Sequence, residues 1–219
     1  MRDVAIDLIR IGALVGGLLA LTLIIGLAIG RSTWRGRGRP RQWARQQGWK
    51  YSWFAERWRP VARRLTWLGG HLGPAVSGTF DGWPVTAFRV RPRSSSVDTK
   101  HYVVVAVTVP VPLPELRLRP RTWAASLFGS LDGPEVRTGV PTFDDQYLLQ
   151  AHDHAAVRAL VRPPLTEQLS QVAPMPILMS GHWVITWTAA RDMPAAIDQL
   201  LPTATLVAQQ FTTAAERQS

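Results

Sequence analysis

No cysteine occurs among the 219 residues, and that absence removes disulfide frameworks, thiolate metal sites and cysteine nucleophiles from consideration. Acidic residues are missing from a long stretch as well: between Asp7 and Glu56 the chain carries neither Asp nor Glu. From Ile11 to Ile29 it carries no charge of either sign, and Thr22 is the one polar side chain there. No G-x-S-x-G run seats a serine on a strand-to-helix turn, and GRGRP lacks both the G-K-[ST] ending and the preceding strand of a phosphate loop. Hydrolase triads and nucleotide cradles therefore lack their sequence context.

The uncharged run is long in physical terms. A helix over Ile11–Ile29 extends roughly 28 Å at 1.5 Å per residue, against a hydrocarbon core of about 30 Å. Arg2 and Arg10 give it the basic start of a secretory signal, but it exceeds the usual apolar length of about 7–15 residues and no small-residue cleavage site follows. The expectation is an uncleaved transmembrane anchor in residues 1–30. Gly12 and Gly16, like Gly26 and Gly30, stand four apart, a spacing that lets two such helices approach and associate weakly.

The formal charge is +10, and it is concentrated. Residues 1–30 hold two Arg and two Asp, residues 31–64 hold eleven Lys and Arg against Glu56 alone, and residues 65–219 hold twelve of each sign. Cytoplasmic flanks of membrane spans carry the Lys/Arg excess. The anchor is thus expected to cross the plasma membrane once, with a short N-terminus outside and everything after residue 30 in the cytoplasm. Six of the ten tryptophans fall between Trp34 and Trp67, and indole rings favour the headgroup zone. Arg31, Trp34, Arg35, Arg37, Arg39, Arg41, Trp43 and Arg45 are the candidate contacts with anionic phospholipid, each cation contributing about 1 kcal/mol before salt screening. Interleaved Arg and Trp also stack single-stranded bases, but a charge excess confined beside the membrane favours lipid over nucleic acid.

Residues 31–42 read as a basic juxtamembrane linker and residues 43–213 as one domain, since the chain beyond the anchor suffices for a single core. RQWARQQG suits two helical turns ending at Gly48, followed by a short strand over Trp49–Phe54. Phe54, Trp58, Val61 and Leu65 have helical spacing, interrupted at Pro60. Asp81-Gly82 between alternating runs predicts a hairpin. HYVVVAVTV, apolar on both faces, predicts a central strand. Pro110, Pro112 and Pro114 are expected to end it, with a new strand from Glu115. Thr122 is a candidate cap for a short helix bearing Trp123, Leu127 and Leu131. Tyr147–Ala151 reads as a strand, and ILM-SG-HWVITW as a second hairpin. Asp192 is placed to open a closing helix whose stripe is Ile197, Leu200, Leu201, Ala204, Ala208 and Phe211, with a kink at Pro202. Hairpins without strand–helix–strand alternation give an α+β class, with an antiparallel sheet and helices packed on one side.

ARQQGWKY, VSGTFDGWPVTAF, HYVVVAVTVPVPLPEL, FDDQYLL, HDHAAVRALV and SGHWVITW occur in that order. Together they resemble a set of uncharacterised single-span membrane proteins from actinobacteria, over about residues 43–190. The resemblance implies a membrane anchor and a cytoplasmic α+β domain. Its motifs are turns and strands, and it supplies no activity.

His152-Asp153-His154 is the triplet with most chemistry in it, because two imidazoles on one strand face can ligate a divalent metal. A third ligand is missing nearby, and an Asp153 that caps a helix would send the rings apart. Asp144-Asp145 suits a turn better than an acid–base pair. Arg89, Arg91 and Arg93 form one further basic cluster and Arg117, Arg119 and Arg121 another; they would make one anion-binding face if their strands neighbour each other, and otherwise the wet side of a sheet. The leading expectation is a non-enzymatic, single-pass membrane protein that binds a protein or lipid partner through a domain held near anionic lipid. No cofactor is implied. The alternative is a membrane-bound, metal-dependent enzyme using His152 and His154. In a bacterial host, alkaline phosphatase fused to the C-terminus should be inactive and green fluorescent protein there fluorescent; the opposite pattern reverses the topology.

Overall fold

A computed structural model describes residues 39–65, 70–92, 101–122, 134–155, 157 and 161–216. Two compact units divide the chain, Met1–Gln42 and Trp43–Ser219. The predicted span, with Gly12 and Gly16, lies outside the described residues, among which no helix is long and apolar enough to cross a membrane. The predicted helix beginning near Thr122 also falls outside them.

Helix α1 covers residues 39–46. β1 (Lys50–Ser52), a 3-10 turn (Glu56–Trp58) and α2 (Arg59–Arg64) follow, then β2 (Gly70–Phe80), β3 (Trp83–Pro92) and β4 (Tyr102–Pro120). After these come α3 (Pro141–Gln146), β5 (Tyr147–Ala151), α4 (Pro163–Ser170), β6 (Ile177–Ala189) and α5 (Met193–Glu216). All strand pairings are antiparallel, in the order β1-β2-β3-β4, with β6 on the other edge of β4. The class is α+β.

β4 is the spine. Its first half pairs with β3, from Tyr102 opposite Val90 to Val107 opposite Val85. Its last residues pair instead with β5, from Leu116 opposite Ala151 to Pro120 opposite Tyr147. β6 runs along its other edge from Thr108–Trp183 back to Tyr102–Ala189, and onward from Leu113–Gly181 to Leu118–Ile177.

Two expectations fail here for one reason. The three prolines do not end the strand, because between Val107 and Leu116 neither β3 nor β5 is paired to β4, and the β6 register slips between Thr108 and Leu113. A residue with no N–H loses nothing at such a bulge. Ser180-Gly181 is likewise no hairpin turn: β6 continues through it, with Gly181 at φ +58° opposite the bulge. A left-handed residue is tolerated there by glycine at little cost. The Asp81-Gly82 hairpin forms as expected, both residues at positive φ.

The strands bury two faces. On one, Val103, Val105, Val107, Leu116 and Leu118 meet α5 through Ile197, Leu200, Leu201, Ala204, Ala208 and Phe211. Burying each large side chain of that stripe stabilises by about 1.5–3 kcal/mol. Pro202 sits on the exposed side of α5, which carries on to Glu216. On the other face Phe88, Val104, Ala106, Ile185 and Trp187 are covered by Ala55, Val61 and Leu65. Helices on one side alone was therefore incomplete: the long helix takes one face, and the 3-10 turn with α2 takes part of the other. Pro60 does not interrupt that segment. It stands in the first turn of α2, where its missing N–H has no helical partner to lose.

Trp49 lies flat against Gly78 on β2: a Cβ at position 78 would come within 2.4 Å of the indole ring. Gly78→Ala is expected to lower stability by about 1–3 kcal/mol through overpacking, and Trp49→Leu in the same background should recover part of that loss. Urea denaturation of the single and double variants measures both.

Candidate interaction surface

Residues 43–65 wrap around one edge of the sheet. α1 packs Ala44 into the α5 face, with Trp49 beside it, while α2 packs Val61 and Leu65 into the opposite face. β1, three residues long, forms the edge between them. Each bend is fixed locally. Trp49 N–H donates to the Ala44 carbonyl at 2.7 Å and Gly48 N–H to that of Arg45 at 3.2 Å, which closes α1. Ser52 Oγ donates to the Phe54 carbonyl at 2.8 Å. Trp58 N–H donates to the carbonyl of fully buried Ala55 at 2.7 Å.

What remains outside is cationic and aromatic. Arg45, Lys50, Arg57, Arg59, Arg63 and Arg64 are exposed. Glu56 is engaged by Arg59, through Nε at 2.8 Å and Nη2 at 2.7 Å, a bidentate pair that neutralises one of the cations. The Arg57 guanidinium lies 4.7 Å from the Trp58 ring centroid. Trp53 is 51% exposed and Phe54 74%, the large apolar side chains most open to solvent among the described residues. Trp53 stands edge-on to Tyr51 at 5.3 Å, so its ring is braced rather than free.

Of the contacts expected from sequence, Arg31, Trp34, Arg35 and Arg37 lie outside the described residues, while Arg39, Arg41 and Arg45 are exposed. Trp43 is partly buried, edge-on to Trp49 at 5.3 Å, and so shares its ring with the core. Trp53 belongs to the tryptophan-rich stretch but not to the contact set that ends at Arg45, and Phe54 is expected from sequence in a helical stripe rather than at the surface. Phe54 has the spacing of the Trp58, Val61 and Leu65 stripe but lies on a loop ahead of it. Adjacent aromatics were the only sequence signal, and in a chain this rich in tryptophan they read equally well as core.

His152 is exposed on a bend, and His154 begins a helical turn in which Val157 N–H donates to the Asp153 carbonyl at 3.1 Å. Among the described residues no three His, Asp or Glu side chains are grouped to hold a metal ion. Asp144 is structural: its carboxylate accepts from Thr138 N–H at 3.0 Å, Thr138 Oγ1 at 2.9 Å and Gly139 N–H at 3.1 Å. Asp145, next to it, is exposed.

Arg93 lies outside the described residues, and although β3 and β4 are neighbours the described members of the two further arginine clusters do not merge. Arg89 stands opposite Val103, on the α5 face, whereas Arg117 stands opposite Gln150, fourteen residues further along β4 and on the reverse face from Leu116 and Leu118. Arg117 pairs with Glu115 and Arg121 with Glu135. Arg89 donates to the Arg191 carbonyl at 2.9 Å. The His101 imidazole is held below the ordinary histidine range, first by burial and then by the charges of Arg89, Arg91 and Arg191.

No protein-family model matches the chain, and no curated protein matches it. Among solved structures the fold is similar to that of the mycobacterial trehalose monomycolate transport factor A, TtfA, with a TM-score of 0.54. The two are 17% identical, and the match covers 82% of this chain and 93% of that one. At that identity the likeness is one of fold.

A histidine whose folded pKa is depressed stays neutral while the unfolded chain takes up a proton, so acidification through and below the ordinary value of about 6.5 disfavours the fold. Thermal melts between pH 7.5 and pH 5.5 should therefore show a smaller acid-induced loss for His101→Asn than for the parent chain. An equal loss in both would show that His101 is not the titrating group.

Proposed function

We propose that this chain is a single-pass plasma-membrane protein, N-terminus outside, whose α+β domain is held against anionic phospholipid in the cytoplasm and binds a protein or lipid partner without catalysing a reaction. The observation that carries this reading is the placement of charge: the whole formal excess of +10 falls in residues 31–64, directly after the uncharged run. Polybasic segments beside a span are drawn to the anionic inner leaflet, and the Lys/Arg excess sets orientation. The exposure of Arg39, Arg41 and Arg45 supports it.

The resemblance to actinobacterial single-span membrane proteins is part of the proposal. The fold shared with TtfA, a mycobacterial transport factor, is compatible with that resemblance. The partner is then a membrane or cytoplasmic protein, or a lipid. Weak self-association through Gly12 and Gly16 is compatible with either.

Co-sedimentation of residues 31–219 with vesicles tests the lipid contact, since Trp43–Ser219 is a compact unit with its own core. Replacing Arg35, Arg37, Arg39, Arg41 and Arg45 by Gln should weaken binding to vesicles rich in phosphatidylglycerol by about 1 kcal/mol per charge at low salt. Binding unchanged by the five substitutions would overturn the assignment.

A further inference from the structure

The contacts expected from sequence stop at Arg45, but the same kind of surface continues into the folded domain. Lys50, Trp53, Phe54, Arg57, Arg63 and Arg64 are all exposed around the β1 edge and the helical segment after it. The aromatic pair is held out from both ends: Ser52 pins the start of the loop through its hydroxyl, and buried Ala55 pins its end. Arg63 lies two residues, about 200°, round the helix from buried Val61, and so faces away from the sheet. Glu56 is the only acid in the stretch, and Arg59 already occupies it.

We propose that this edge is a second membrane-contact element, in which Trp53 and Phe54 enter the headgroup zone of an anionic bilayer while Arg57, Arg63 and Arg64 meet lipid phosphates. Two exposed aromatics flanked by unopposed cations match such a surface in both polarity and charge: the rings suit a boundary that is apolar below and wet above, and the guanidinium groups suit phosphate. The proposal rests on the membrane reading above and adds to it a fixed orientation, with the β1 edge toward the lipid. The domain is then docked on the lipid by this edge.

The absence of native cysteine makes the test direct. Phe54→Cys in the full-length chain is labelled with a nitroxide, reconstituted into phosphatidylglycerol/phosphatidylcholine vesicles, and its collision rates with oxygen and with a water-soluble nickel chelate are measured. Gln209→Cys, exposed on α5, is the reference. At position 54 oxygen should be favoured over the chelate, the reverse of position 209, and the preference should be lost in phosphatidylcholine alone or on combining Arg57→Gln, Arg63→Gln and Arg64→Gln. Chelate access at 54 equal to that at 209 would overturn the inference, and so would exclusion of both reagents, which marks a protein contact. Both of these results leave the anchor intact. Release of the parent chain from native membranes by alkaline carbonate sinks the membrane reading and this inference with it.

Discussion

β4 has to satisfy hydrogen-bonding groups along both edges for nineteen residues, and unpaired buried backbone groups are costly enough that this requirement governs the fold. β6 meets it along one edge for most of the strand's length. No single strand meets it on the other, where β3 serves the first half and β5 the last five residues. The prolines fall in the interval between these two partners, where a missing N–H does no harm. Gly181 lets β6 follow the irregularity opposite them.

The rest of the domain is arranged around that strand. Its alternate residues feed two cores, one closed by α5 and the other partly closed by the 3-10 turn and α2. Residues 43–65 must reach both faces, and to do so they cross the sheet edge as β1. Trp49 against Gly78 locks that crossing. The packing that secures α1 and α2 thereby turns their charged sides, with Trp53 and Phe54, outward along one edge. A linear run of arginines becomes a surface with a direction.

Electrostatics elsewhere in the domain serve stability more than recognition. Arg117 and Arg121 are paired with neighbouring acids, Asp144 holds the turn at Thr138 and Gly139, and Arg89 is tied to the start of α5 through the Arg191 carbonyl. Exposed pairs of this kind contribute little individually. That leaves the uncompensated charge of the described domain mostly on the β1 edge, where Arg57, Arg63 and Arg64 have no acid of their own within the segment.

Local chemistry made much of this legible in the sequence. Asp81-Gly82 specified a hairpin, the β-branched run at Tyr102–Val109 specified a central strand, and the spacing of Ile197, Leu200, Leu201, Ala204, Ala208 and Phe211 specified the buried side of α5, because turn geometry and hydrophobic period act over a few residues. The charge map that motivates the candidate surface is likewise a property of the chain alone. Tertiary structure decided the rest. Whether Pro110–Pro114 ends a strand depends on which neighbours stand beside it, and whether Phe54 is core or surface depends on a loop that leaves the helical stripe. The separation of Arg89 from Arg117 was set by pairing register and strand parity. These outcomes are fixed by contacts between residues far apart in sequence, which no local pattern encodes.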